Sequence, residues 1–143
     1  VVAADRSRWH HAAGPEATAA DLEAASMLEC CLTALNSNAV AIGGAGPSGA
    51  VQLFGAGAGQ MDRVTACRLA SEKAGEAARG AVCVSDAFFP FPDGPRILIE
   101  AGVRTIVHPG GSRRDEDTFR LCEEHGVSCI TTGVRRFSHE PLS

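Results

Sequence analysis

Phe88, Phe89 and Phe91 fall within four positions, among Pro90, Pro92, Asp86 and Asp93, in the stretch Ser85–Gly94. Only 5% of the chain is aromatic, so half of its six phenylalanines are concentrated there. Pro90 and Pro92 restrict the backbone and exclude a regular helix through the segment. A stiff aromatic wall beside a carboxylate suits a flat heterocycle with polar edges. The same residues serve equally well as a proline-stiffened loop that closes the core.

Other residues invite a chemical reading, each with a plainer one beside it. Gly44-x-Gly46-x-x-Gly49 matches a dinucleotide fingerprint in form. It lies between two predicted strands, without the helix N-terminus that would hold a pyrophosphate. Gly55-Ala56-Gly57-Ala58-Gly59 leads toward a predicted helix, and its small residues would let the backbone approach a ligand. Arg63, one turn in, would then reach a phosphate or a carboxamide; alternatively it is a solvated arginine after a turn. Pro109-Gly110-Gly111-Ser112 leads into another helix, and its free N–H groups suit an anion or simply cap the helix. His108, just before it, is a titratable group beside this loop or a hydrogen-bonding core residue. The tail Arg135-Arg136-Phe137-Ser138-His139 reads on its own as a solvated terminus.

Several chemistries are excluded. The His-x-Glu and Pro-Cys-x-x-Cys elements of a zinc deaminase are missing, and no Gly-x-Ser-x-Gly elbow of a serine hydrolase is present. The six cysteines, at 30, 31, 67, 83, 122 and 129, fall in predicted helices and strands. They read as reduced thiols of a cytoplasmic protein, with no metal expected. Cys30 and Cys31 would point to different helix faces, which argues against a shared metal.

The elements that position these residues alternate between helix and strand. Residues 1–9 suggest an edge strand from Val1-Val2-Ala3-Ala4, and Gly14-Pro15 breaks the chain. Thr18 with Asp21 resembles a capping box opening a helix from about 18 to 35, with Leu22, Ala25, Met27, Leu28 and Cys31 or Leu32 inward. Strands follow over 38–43 and 50–54, joined by a turn over 43–49. A helix over 61–78 with Val64, Cys67, Leu69 and Ala70 inward precedes a buried strand over 81–84. A helix near 93–101, a strand over 104–107, a helix opened by Ser112 and Asp115 and closed by Gly126, and a strand over 127–131 complete the series. This order predicts a layered α/β fold with a mixed sheet.

At 143 residues, one domain over 1–143 is expected. Hydrophobic content of 45% and a mean hydropathy of +0.02 fit a globular chain, with no membrane-length apolar run. A formal charge of −4 argues against nucleic acid or an anionic membrane as the main partner.

The aromatic stretch and four further blocks together resemble the transformylase domain of the bifunctional purine enzymes. Those enzymes formylate aminoimidazole carboxamide ribonucleotide and close the ring to inosinate. The further blocks are Ser37–Val40, Gly57–Val64, Pro109–Glu116 and Thr132–His139. The resemblance implies a cytidine-deaminase-like α/β/α fold, and only the second of the family's two repeats. It implies that Asn38, Arg63, Phe88, Arg135 and Phe137 form a nucleotide site, with His139 beside it. Pro90, Phe91 and Asp93 line the folate side, where 10-formyltetrahydrofolate would bind. His108 stands where the family commonly has glutamine.

The family's Lys-His catalytic pair, carried by the first repeat, has no counterpart here; Lys73 is the sole lysine. Asp93, His108 and His139 are then the candidate proton-transfer groups. Two readings follow. One is a standalone transformylase-like enzyme acting on a purine-precursor-like or folate-like substrate, by formyl transfer or ring closure. It would be completed as a homodimer or by a first-repeat protein. The other is a non-catalytic module that binds a nucleotide or folate, or a structural partner of a separate active subunit.

Overall fold

Short, nearly continuous apolar runs such as Val82-Cys83-Val84 belong to strands covered on both faces, and such strands form the centre of this chain. The computed structural model describes residues 6–133. The elements are β1 (His10–Ala13), α1 (Ala19–Leu32), β2 (Val40–Ala45), β3 (Val51–Gly57), α2 (Arg63–Ala74), β4 (Val82–Ser85), α3 (Asp93–Ala101), β5 (Thr105–His108), α4 (Asp115–His125) and β6 (Ser128–Thr131). The strands form one mixed sheet in the order β1-β6-β5-β4-β2-β3. β4, β5 and β6 are parallel, β2 and β3 form an antiparallel hairpin beside β4, and β1 is an antiparallel edge.

Alternation along the strands divides the core into two layers. Cys83, Ile106 and Cys129 face the side of α2, α3 and α4, where they meet Cys67, Leu98 and Cys122. Val82, Val84, Val107 and Ile130 face α1 through Ala24, Ala25, Leu28 and Leu32. The expected α/β/α layering is therefore present.

Thr18 caps α1, its Oγ1 accepting the Asp21 N–H at 3.1 Å. Asp21 does not complete a reciprocal box. Its carboxylate accepts from Arg104 at 2.8 Å and from Thr105 at 3.0 Å, tying α1 to the start of β5. Met27 is 42% exposed and Cys31 is exposed, so the inner face of α1 turns on Ala24, Ala25, Leu28 and Leu32 instead.

Two expected boundaries shift, and one strand was not anticipated. The first strand among the described residues is His10–Ala13, defined by its pairing with β6; the edge strand expected from Val1-Val2-Ala3-Ala4 lies outside the described residues. The β2–β3 turn is shorter than 43–49, because Gly43 and Gly44 still pair with Leu53 and Gln52. α2 ends at Ala74 and continues as a single 3₁₀ turn over Gly75–Ala78.

Candidate functional site

Three loops converge where β4 ends, at the carboxyl edge of the parallel strands, the usual position for ligands in open α/β sheets. Ser37-Asn38 leads into β2, Gln60–Arg63 opens α2, and Asp86 follows β4. The Asn38 side-chain amide donates to the Gln60 carbonyl at 2.8 Å, and its backbone N–H donates there at 3.2 Å. The Asp86 N–H donates to the Ala39 carbonyl at 3.1 Å.

The Asp86 carboxylate is the hub. One oxygen accepts from the Arg63 guanidinium and the other from the Ser37 hydroxyl at 2.7 Å. Arg63 is 8% exposed and Asp86 2%. A buried pair of this kind holds only because each charge compensates the other. Arg63 is thus not a free surface cation reaching for a phosphate. Its Nε is buried and has no hydrogen-bond partner, a donor facing a place where an acceptor belongs. Sequence reasoning quoted Asp86 within the aromatic stretch but gave it no role. The only available signal was an acid placed immediately after a buried strand.

The aromatic segment separates into three environments. Phe89 is 1% exposed and packs in the core, as the plainer reading of the loop held. Phe88 is half-buried, beside Gly111. Phe91 is 53% exposed, with the Arg114 guanidinium carbon 5.4 Å from its ring centroid. Pro90 and Asp93 are also exposed, and Asp93 opens α3. An exposed ring, a proline and a carboxylate on one loop fit a flat heterocycle with N–H donors on its edge.

His108 has a different place. It is fully buried, with its ring edge-on to Phe89 at 5.2 Å between centroids. Its Nδ1 accepts the Gly110 N–H at 3.1 Å, so the proton sits on Nε2, which faces the Cys129 sulfur at 3.7 Å. Burial lowers its pKa to about 4, with the nearby Asp115 charge opposing. The geometry makes His108 a neutral core residue whose ring nitrogens are both engaged, not an open proton-transfer group.

Two glycine-rich features also resolve differently from the ligand readings. A Cβ at Gly55 would lie 2.4 Å from the Ala70 carbonyl oxygen, and one at Gly57 would lie 2.3 Å from that of Ala66. The Gly55–Gly57 part of the run belongs to β3 and lets α2 lie directly on the strand. In the Pro109–Ser112 loop the N–H groups of Gly111 and Ser112 donate to Asp115 at 2.8 and 3.2 Å. The chain's own carboxylate fills that anion cradle.

Three of the buried thiols are held protonated. Burial pushes Cys67 up to about 12 and raises Cys83. Cys129 is raised by its hydrogen bond with Cys122 and by burial. Among the described residues no group of three or more His, Cys, Asp or Glu could hold a metal ion. No described helix is long and apolar enough to cross a membrane. Arg135, Phe137 and His139 lie outside the described residues.

No family model matches the chain. Among curated proteins, it is 43% identical over 135 residues, 94% of its length, to the bifunctional purine biosynthesis protein PurH of Cutibacterium acnes. It is 48% identical over 105 residues, 73% of its length, to the protein of the same description from Prochlorococcus marinus. These matches take in 25% and 19% of those proteins, so the chain spans a quarter or less of the relatives it matches. The resemblance carried by the five sequence blocks is a similarity to one part of the bifunctional purine biosynthesis proteins.

Proposed function

We propose that this chain, a partial relative of the bifunctional purine biosynthesis proteins, supplies the substrate-holding half of a transformylase-like enzyme, corresponding to the second repeat. Its substrate is a purine-precursor ribonucleotide of the aminoimidazole carboxamide type, with 10-formyltetrahydrofolate as formyl donor. The observation that carries this reading is the meeting of Ser37-Asn38, Arg63 and Asp86 at the end of β4, with the orphaned Arg63 Nε among them.

The electrostatics favour a neutral end of the substrate there. Asp86 offsets the Arg63 charge, and a phosphate would bring its own charge against a buried carboxylate. A neutral acceptor such as a carboxamide oxygen takes the Nε–H at no such cost. The phosphate then falls to a cation elsewhere, for which Arg135, a nucleotide-site residue by resemblance, is the candidate. On the other side of Phe88, the loop bearing Pro90, Phe91 and Asp93 holds the folate ring by stacking and by donation to the Asp93 carboxylate.

When bound, the folate supplies the formyl group; the chain's own residues bind and orient both partners. Transfer needs a base for the attacking amine and a donor for the developing oxyanion. The first-repeat Lys-His pair is the natural source. It would come from a separate first-repeat protein, or its role would be met within a homodimer, with the exposed Phe91 near the contact. Lys73, the sole lysine, is exposed in the last turn of α2, a poor position for that work. That placement favours, as a second reading, a binding module without turnover of its own.

Calorimetric titration tests the reading. Aminoimidazole carboxamide ribonucleotide should bind, and the analogue lacking the carboxamide should bind about tenfold or more weakly, the loss expected for leaving a buried donor unmet. Equal affinities would refute the assignment of Arg63. Sedimentation analysis, alone and with a first-repeat protein, tests the assembly.

A further inference from the structure

A cavity of about 330 Å³ opens on the opposite side of the sheet from α2, between the edge strand β1, the start of α1 and β6. Its floor is the buried Ile130, and its walls are the half-buried Trp9 and Leu22. These residues pack with the α1 layer of the core, whereas α2 packs in the other layer. Its rim carries the exposed Arg6, His11 and Glu16. The His11 ring is fixed there, with Nε2–H donating to the Gly14 carbonyl at 2.8 Å.

We propose that this cavity binds a small aromatic monocarboxylate, stacked on Trp9 with its acid group on Arg6. Three observations select that class. At roughly 30 Å³ per water the volume holds about eleven waters, which suits a ligand of about ten non-hydrogen atoms. The lining offers an indole ring and branched aliphatic carbon, apolar surface suited to a flat ring. The Arg6 guanidinium is a planar fork matched to a carboxylate. Glu16 on the same rim opposes a second negative charge, so a monoanion is favoured over a phosphate.

Trp9 is the only tryptophan in the chain, so its fluorescence reports this cavity directly. Nicotinate serves as probe; nicotinamide keeps the ring without the charge, and cyclohexanecarboxylate keeps the charge without the aromatic plane. Nicotinate should quench Trp9 saturably with a Kd of about a millimolar, reasonable for so small a ligand. Arg6→Gln should weaken it roughly tenfold, the loss of a charge-assisted contact. Arg6 is exposed, so unchanged circular dichroism and Tm in that variant would separate lost binding from lost folding. Methyl resonances of Leu22 and Ile130 should shift on titration. The proposal is overturned if nicotinate shows no saturable effect, or if either analogue or inorganic phosphate matches it. It is also overturned if Arg6→Gln binds as well as the parent, or if the shifts appear around Phe91 and not around Leu22 and Ile130.

Discussion

Arg63 and Asp86, 23 positions apart in sequence, form a buried ion pair that joins the first turn of α2 to the end of β4. The Ser37 hydroxyl completes the junction at 2.7 Å from the second Asp86 oxygen. Removing either charge leaves the other buried and uncompensated, a loss of about 3–5 kcal/mol. Arg63→Met and Asp86→Leu should each destabilise the chain by that order in urea unfolding. Ser37→Ala should cost only about 1 kcal/mol, one hydrogen bond from a pair that survives. A double-mutant cycle giving no coupling between Arg63 and Asp86 would contradict this account.

The phenylalanines should separate cleanly. Phe89→Ala empties a core position and should cost about 3–5 kcal/mol. Phe91→Ala removes a ring that is already 53% exposed and should change stability by less than about 1 kcal/mol. It should nevertheless weaken a folate analogue by roughly tenfold, the contribution of one stacked ring. Thermal unfolding and a binding titration on the same two variants check both halves.

Buried His108 makes stability fall with acid. Its pKa is lowered to about 4 in the folded chain, while the unfolded chain titrates near 6.5. Between those values the unfolded state holds the extra proton, so stability rises with pH across the window. The contribution is fully present above about pH 6.5 and is lost as pH falls toward 4, a change of about 3 kcal/mol. His108→Gln should flatten that part of the profile. If the ring titrates near 6.5 by NMR in the folded chain, the buried neutral assignment is wrong.

Glycine substitutions test why β3 is glycine-rich. Gly57→Ala places a methyl 2.3 Å from the Ala66 carbonyl oxygen, where backbone must move; overpacking of this kind costs about 1–3 kcal/mol. At Gly44 the nearest atom to an added Cβ is a Phe54 ring carbon at 3.5 Å. Gly44→Ala should therefore be close to neutral, and chemical unfolding of the pair measures the difference.

What was legible in the sequence follows from how local each signal is. α3 was read at its observed bounds because its punctuation is local: Pro92 precedes it and Gly102, at φ +103°, ends it. The buried strands β4 to β6 were legible from short apolar runs. β1 was not anticipated because His10-His11 is not apolar, while an edge strand depends on its partner β6 and not on its own hydropathy. A strand glycine that admits a helix and a loop glycine that admits a ligand look identical in sequence; only the position of α2 distinguishes them. For the same reason Asp86 went unassigned: its role depends on Arg63 and Ser37, which are close only after folding.

The chemistry gives the last prediction. Supplied with aminoimidazole carboxamide ribonucleotide and 10-formyltetrahydrofolate, the isolated chain should bind the ribonucleotide and show little or no formyl transfer. General acid–base help contributes roughly 10²–10⁴-fold, and oxyanion donors contribute on the order of 10²–10³. A chain lacking the Lys-His pair should fall short by a comparable factor, readily seen in a spectrophotometric assay. Addition of a first-repeat protein carrying that pair should restore turnover if the two parts form one site. If the chain alone is fully active, its own groups have taken over. Asp93 is then the leading candidate because it is exposed beside the aromatic loop, whereas His108 is enclosed. Asp93→Ala, His108→Ala and His139→Ala would identify the group responsible. Full activity in all three variants would mean that the proton is moved by a residue outside this assignment, and the site as drawn would have to be abandoned.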